Sequence, residues 1–236
     1  MMKLTLLRGL AAGALTLCVA GAHAASNSFQ DPATAAWGGW TRGDAGTVYT
    51  HWEEFDSCTP SGPFCEADPD SVPDAGNLGA TTAIVIPNNP GAIVTGNGTG
   101  GNIYSFGDTP DFDIVIQPST TPTQPVRVAL QVAVLGTDVD DSSVLLNGQA
   151  FDQKIVLESF MGGPPFGGVD NEYLYLWLAA PAAAAYSFDL IAQSSSLSLD
   201  ALSVDLAPVP LPAAAWLFGS AILGVLAIRR RRRTMS

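Results

Sequence analysis

The chain has 236 residues, is 47% hydrophobic, and carries 22 acidic against 10 basic side chains, for a formal net charge of −12 at pH 7. Lys3 and Arg8 lie at the start and Arg229 to Arg233 at the end, so Arg42, Arg127 and Lys154 are the only cations of the body. That balance repels nucleic-acid phosphates, lacks the basic patch that backbone binding needs, and suits a soluble, self-repelling surface outside the cell.

Residues 1–24 have the three-part build of a secretory signal peptide: Lys3 and Arg8, an apolar run over 9–20, and a closing Ala22-His23-Ala24 before Ala25. The apolar run is short for a bilayer span, which needs about 20 residues. Leu17 stands before Cys18 where a lipoprotein would have a small residue. The segment therefore implies export through the Sec machinery, cleavage by signal peptidase after Ala24, and a mature chain starting near Ala25.

A single domain over residues 25–207 follows, broken every 8 to 14 residues by clusters of Gly, Pro, Asn, Asp and Ser. Short apolar runs between the breaks predict strands at 47–55, 82–86, 92–95, 102–106, 111–117, 126–135, 143–146, 150–158, 172–180, 186–192 and 197–206. No window shows a sustained helical period, so the expected fold is all-β, a sandwich or jelly roll.

Between the first two predicted strands, Cys58 and Cys65 flank TPSGPF in a Pro- and Gly-rich loop. An even pair in an oxidising compartment predicts a disulfide, which restricts the unfolded chain. Two thiols make only half a zinc site, and His51 is the one histidine beyond the signal.

Over 126–135, Val126, Val128, Leu130, Val132 and Val134 share one face, which predicts a core-facing side. Arg127, Ala129, Gln131 and Ala133 form the other, which predicts a lightly covered side. Asn147-Gly148 predicts a hairpin whose return strand covers Phe151 to Leu157. In the last strand Leu197, Leu199 and Ala201 take one parity and Leu202, Val204 and Leu206 the other, so a β-bulge is expected near Ala201.

The alternation of Tyr173, Tyr175 and Trp177 against Leu174, Leu176 and Leu178 makes an aromatic face that could stack on sugar rings or pack against a second sheet. Trp37-Gly-Gly-Trp40 carries the same two readings. Asp138, Asp140 and Asp141 supply the hard oxygens that suit Ca²⁺, as do Asp108, Asp111 and Asp113. Glu66, Asp68, Asp70 and Asp74 lack the glycine and closing glutamate of an EF-hand. No nucleophile elbow, zinc-protease, P-loop or dinucleotide motif is present, so no catalytic residue and no enzyme activity is expected.

The end of the chain reads VPLPAAAWLFGSAILGVLAIRRRRR before Thr234, Met235 and Ser236. Residues 209–228 carry no charge, and a helix over 213–228 is long enough to cross the hydrocarbon with its flanks. Trp216 falls where interfacial aromatics are favoured. Each arginine would cost about 2.5–3.5 kcal/mol at the membrane centre, so Arg229, Arg230, Arg231, Arg232 and Arg233 form a stop-transfer block on the cytoplasmic side.

The succession of Val209, Pro210, Leu211, Pro212 and Ala213, an apolar helix and a terminal arginine cluster resembles the PEP-CTERM class of bacterial sorting signals, in the variant whose signature reads VPLPA. The resemblance covers residues 208–236. It implies an exported protein held as an inner-membrane intermediate and recognised by an exosortase, a membrane-embedded cysteine transpeptidase. It further implies delivery to the cell envelope, outer surface or extracellular matrix, in association with extracellular polysaccharide and biofilm. The expected role is a non-catalytic structural or interaction module; a glycan-binding module is the alternative, and a secreted hydrolase a more distant one.

Overall fold

The computed structural model describes residues 28–61, 64–95, 101–105, 107–161 and 169–209. The chain forms β1 (Val48–Trp52), β2 (Cys58–Ser61), β3 (Phe64–Ala67), β4 (Ala75–Leu78), β5 (Ala80–Pro87), β6 (Ala92–Val94), β7 (Ile103–Ser105), β8 (Asp111–Pro118) and β9 (Val126–Gly136). A 3-10 turn at Asp141–Ser143 precedes β10 (Leu145–Leu146), β11 (Gln149–Ala150), β12 (Gln153–Met161), β13 (Val169–Ala180), β14 (Tyr186–Ile191) and β15 (Leu197–Pro208). Among the described residues no helix is long and apolar enough to cross a membrane, and the helix expected over 213–228 lies outside them.

The strands pair antiparallel in two sheets. The larger runs β12-β13-β9-β15, and β15 then divides its far edge between two arms. Ser198 and Leu199 pair with β7, which continues through β6, β3 and β2, while Leu202 to Leu206 pair with β1, which carries β4. The smaller sheet runs β11-β10-β14-β8-β5. Their inner faces enclose one core, as the all-β expectation required.

Alternation decides what enters that core. Val128, Leu130, Val132 and Val134 of β9 meet Phe112, Ile114 and Ile116 of β8 and Tyr186, Phe188 and Leu190 of β14 within one buried cluster. Each such side chain stabilises the fold by about 1.5–3 kcal/mol through burial. The parity change in β15 is resolved by a bulge: Leu199 faces Val134, Ala201 faces Ala133, and Asp200 is the extra residue. The bulge returns Leu197, Leu199, Leu202, Val204 and Leu206 to the same core.

Three expectations change. Asn147 and Gly148 form the predicted tight turn, with φ of 49° and 76°. Its return strand, however, is only β11, where Gln149 faces Leu146 and Ala150 faces Leu145. Past Phe151 the chain crosses to the larger sheet, because Ile155 and Leu157 find apolar partners on the outside of β13. The region between β1 and β5 holds three strands that carry no apolar alternation, and the Cys58–Cys65 disulfide links the β2–β3 hairpin rather than a plain loop.

The third change concerns the side of β9 expected to be lightly covered. Ala129, Gln131 and Ala133 are all buried. Residues 28–42 lie across this outer face as a strap, and Trp37 packs with Ala129, Leu174 and Leu176 in a second small cluster flanked by Ala35, Trp40, Ile155 and Leu157.

Candidate functional site

The strap is tied down by polar residues on otherwise apolar strands. Gln131 of β9 accepts from the Gln30 backbone N–H at 2.6 Å and donates to the Gln30 carbonyl at 3.1 Å. Trp37 Nε1 donates to Gln30 Oε1 at 2.9 Å. Arg127 Nη1 donates to the carbonyls of Trp37 and Gly38 at 2.8 and 3.1 Å. This turn requires glycine: a Cβ on Gly38 would lie 1.9 Å from the Pro32 carbonyl oxygen. The Trp37-Gly-Gly-Trp40 stretch is thus packing for the strap.

At the far end of the strap, Arg42 Nε and Nη2 each donate to Asp205 of β15 at 2.8 Å, a bidentate pair. The guanidinium also covers the Tyr49 ring at 3.7 Å. Burial pushes the Asp205 carboxyl up, and the bond to Arg42 opposes that rise. At the near end, the Ser28 backbone N–H donates to Glu172 Oε2 at 2.6 Å and its hydroxyl donates to Glu158. Burial pushes the Glu172 carboxyl up to about 6, and Glu158, Asp170 and Asp200 add to the rise.

The aromatic and acidic candidates converge on one another. Tyr173, Tyr175 and Trp177 point inward between the sheets, at 4%, 0% and 2% exposure. Of the two readings of this ring face, stacking on sugars or packing against a second sheet, the rings take the second: their neighbours on β9 and β14 are apolar and close over them. Only the polar tips reach the sandwich edge. Tyr173 Oη donates to Asp138 at 2.8 Å, Tyr175 Oη to Asp141 at 3.0 Å, and Trp177 Nε1 to the Gln149 carbonyl at 3.0 Å.

Lys154 completes this cluster. Its Nζ lies 2.6 Å from Asp141 Oδ1 and 3.7 Å above the Tyr173 ring. Burial, followed for Tyr175 by the Asp141 charge and for Tyr173 by its bond to Asp138, drives both phenols far above their ordinary range. Asp140 caps the 3-10 turn, accepting from the Ser142 N–H at 3.0 Å and its hydroxyl at 2.7 Å. The three aspartates read as Ca²⁺ ligands thus accept from separate donors. Among the described residues, no three His, Cys, Asp or Glu side chains gather as a metal site would need. The Asp138, Asp140 and Asp141 loop is joined to β12 and β13 as a polar staple.

His51 lies between Phe29 and Tyr49, at ring-centroid distances of 5.8 and 6.4 Å, with Nε2 4.0 Å from Glu53. Burial lowers its pKa and favours the neutral ring, against the pull of Glu53. Of the sorting motif only Val209 is described: its N–H donates to the Pro125 carbonyl at 3.0 Å, directly after β15. Pro210, Leu211, Pro212 and Ala213, and Arg229 to Arg233, lie outside the described residues.

The strap anchors Gln30, Gln131, Glu172 and Asp205 escaped the sequence reading. Only Gln131 carries a local signal, as a polar residue between Leu130 and Val132; Gln30 lies in no strand, Glu172 follows Asp170 and Asn171, and Asp205 follows Ser203 at its own parity. No protein-family model matches the chain, and no curated protein matches it significantly.

Proposed function

We propose that the chain is an exported, non-catalytic surface or matrix protein of the cell envelope, delivered by its C-terminal sorting segment and associated with extracellular polysaccharide. The observation that supports this most directly is the join between body and tail. β15 ends at Pro208, Val209 is tied to Pro125, and the charge-free run of 209–228 begins there, closed by Arg229 to Arg233.

In this reading the body crosses the membrane by the Sec route and signal peptidase frees it near Ala25. The apolar run and arginine block then hold it as an inner-membrane intermediate. An exosortase acting near Val209 to Ala213 passes it on to the surface or matrix. The body's own cations support the non-catalytic part: Arg42, Arg127 and Lys154 each bond to groups of the same domain.

Fractionation of producing cells, with intact mass measurement of the mature protein, tests the proposal. A chain starting near Ala25 and lacking residues beyond about the motif, recovered from the envelope or matrix, is the expected result. A chain still ending at Ser236 and confined to the inner membrane would make the tail a plain anchor. Recovery from the cytoplasm would overturn export itself.

A further inference from the structure

The two ends of the sandwich differ sharply in charge. β9 and β15 run the length of the larger sheet, and their register fixes which loops share an end: Pro208 faces Val126, and Leu197 faces Gly136. At the Pro208 end lie 118–125 before β9, 180–186 between β13 and β14, the 147–152 turn, and the segment leading into β1. The first two, PSTTPTQP and APAAAAY, carry no charge at all. The carboxylates nearest this end are Asp44 and Asp152, which accept from the backbone N–H groups of Thr41 and Leu178, with Asp31 of the strap and the Arg42-paired Asp205 close by. At the opposite end the loops carry Glu53, Glu54, Asp56, Asp108, Asp138 and Asp140, and more beyond these.

The chain leaves the sandwich at the uncharged end. Pro208 closes β15 and Val209 is bonded to Pro125, so the fold holds the chain up to the first residue of the charge-free run. Pro212, where the membrane helix is expected to begin, is three residues further. Three extended residues reach about 10 Å at most, so this end of the sandwich stays within about that distance of where the charge-free run enters the bilayer.

From this asymmetry we infer that the uncharged end, formed by loops 118–125 and 180–186, rests on the lipid headgroups and directs the acidic end outward. The inference rests on the membrane reading of the tail and adds the orientation of the body. The occupant of this surface is a lipid bilayer. A twelve-residue strand such as β15 is about 40 Å long, so the acidic loops stand several times the screening length of about 8 Å from the surface. Anionic headgroups then meet Ser, Thr, Pro and Ala rather than carboxylates. The reverse orientation would press the acidic loops into a field of their own sign.

Mature chain from Ala25 to Ser236, whose only native cysteines, Cys58 and Cys65, form the structural disulfide, is reconstituted into phosphatidylcholine–phosphatidylglycerol vesicles. Some of the lipid carries a nitroxide on the headgroup. A fluorophore is attached at one introduced cysteine: Thr121→Cys or Ala184→Cys at the uncharged end, or Thr109→Cys at the acidic end, all exposed positions. Flotation with the vesicles reports anchoring separately. Quenching at positions 121 and 184 roughly five-fold stronger than at 109 is expected, since a label about 40 Å away does not meet a headgroup. Chain that floats but is quenched equally at all three sites, or most at 109, overturns the orientation and leaves the anchor standing. Chain that fails to float overturns the membrane reading and the orientation with it.

Discussion

Glu172 is 5% exposed on the outer face of β13, beneath the start of the strap, and its carboxyl is pushed up to about 6 from an ordinary 4.5. The folded chain therefore binds this proton more readily than the unfolded chain. Stability gained on this account rises as pH falls through about 6 and is complete below about 4.5. Glu172→Gln keeps an acceptor for Ser28 and removes the charge. It is expected to stabilise the protein by about 1–2 kcal/mol near pH 8 and to have little effect near pH 4. Urea unfolding of both proteins at the two pH values measures this; a variant less stable at pH 8 would show that the ionic bond to Ser28 outweighs desolvation.

Asp205 gives the contrasting case, since it is fully buried with a cation on it. Arg42→Ala leaves that carboxylate buried and unpaired, at an expected cost of about 3 kcal/mol near neutral pH. Without Arg42 the carboxyl rises further, so the loss is expected to shrink on acidification, when the group can be neutral. Thermal melts of wild type and variant across pH 5 to pH 8 check this; a loss that grows on acidification would contradict it. Neither anchor is legible in the sequence, because Glu172 follows other polar residues and Arg42 and Asp205 are 163 positions apart, with no local pattern to link them.

Among the elements, the strap separates this fold from a bare two-sheet sandwich. It converts the outer face of β9 and β13 into a second small core. Trp37→Ala removes the ring that covers Ala129, Leu174 and Leu176 and is expected to cost about 3 kcal/mol. Hydrogen exchange then tests locality: faster exchange confined to 28–42 and the outer edge of the larger sheet is expected, and uniform acceleration would show that the strap is not a separate unit. The disulfide acts over a shorter range. Its residues are seven apart, and replacing both by serine is expected to cost about 2 kcal/mol by the loop-closure account, measurable as a lowered melting temperature.

Element for element, legibility followed local pattern. The bulge in β15 could be read because the parity of Leu199 and Leu202 is printed in adjacent residues. β2, β3 and β4 could not, because CTPS, FCEA and AGNL carry no clean alternation and are held by pairing and the disulfide. The Asn147-Gly148 turn was legible for the same local reason. The strand that followed it was not, since β12 chose its sheet by the apolar partners available on β13.

For the whole molecule, the governing quantity is the excess of acid, 22 acidic against 10 basic side chains, much of it in the loops at one end. Raising NaCl from about 0.01 M to about 1 M shortens the screening length from about 30 Å to about 3 Å. The body is expected to melt several degrees higher at the upper concentration, as repulsion among the clustered carboxylates is screened. Circular dichroism melts across the series decide this; an unchanged midpoint would mean that the unfolded chain feels the same repulsion.

The sequence by itself determined the fold class, the inward parity of β9, the bulge in β15 and the tight turn, because each follows from neighbouring residues and the period of a pleated strand. It also holds, in residues 1–24 and 208–236, the segments from which export and sorting are proposed. Only the tertiary structure decided what lies against each face. It turned Tyr173, Tyr175 and Trp177 inward, joined Asp138 and Asp141 to those tyrosines, and laid residues 28–42 over the side of β9 that sequence left nearly bare. Alternation assigns a residue to a face; what covers that face is set by contacts between segments a hundred or more positions apart, which no local period records.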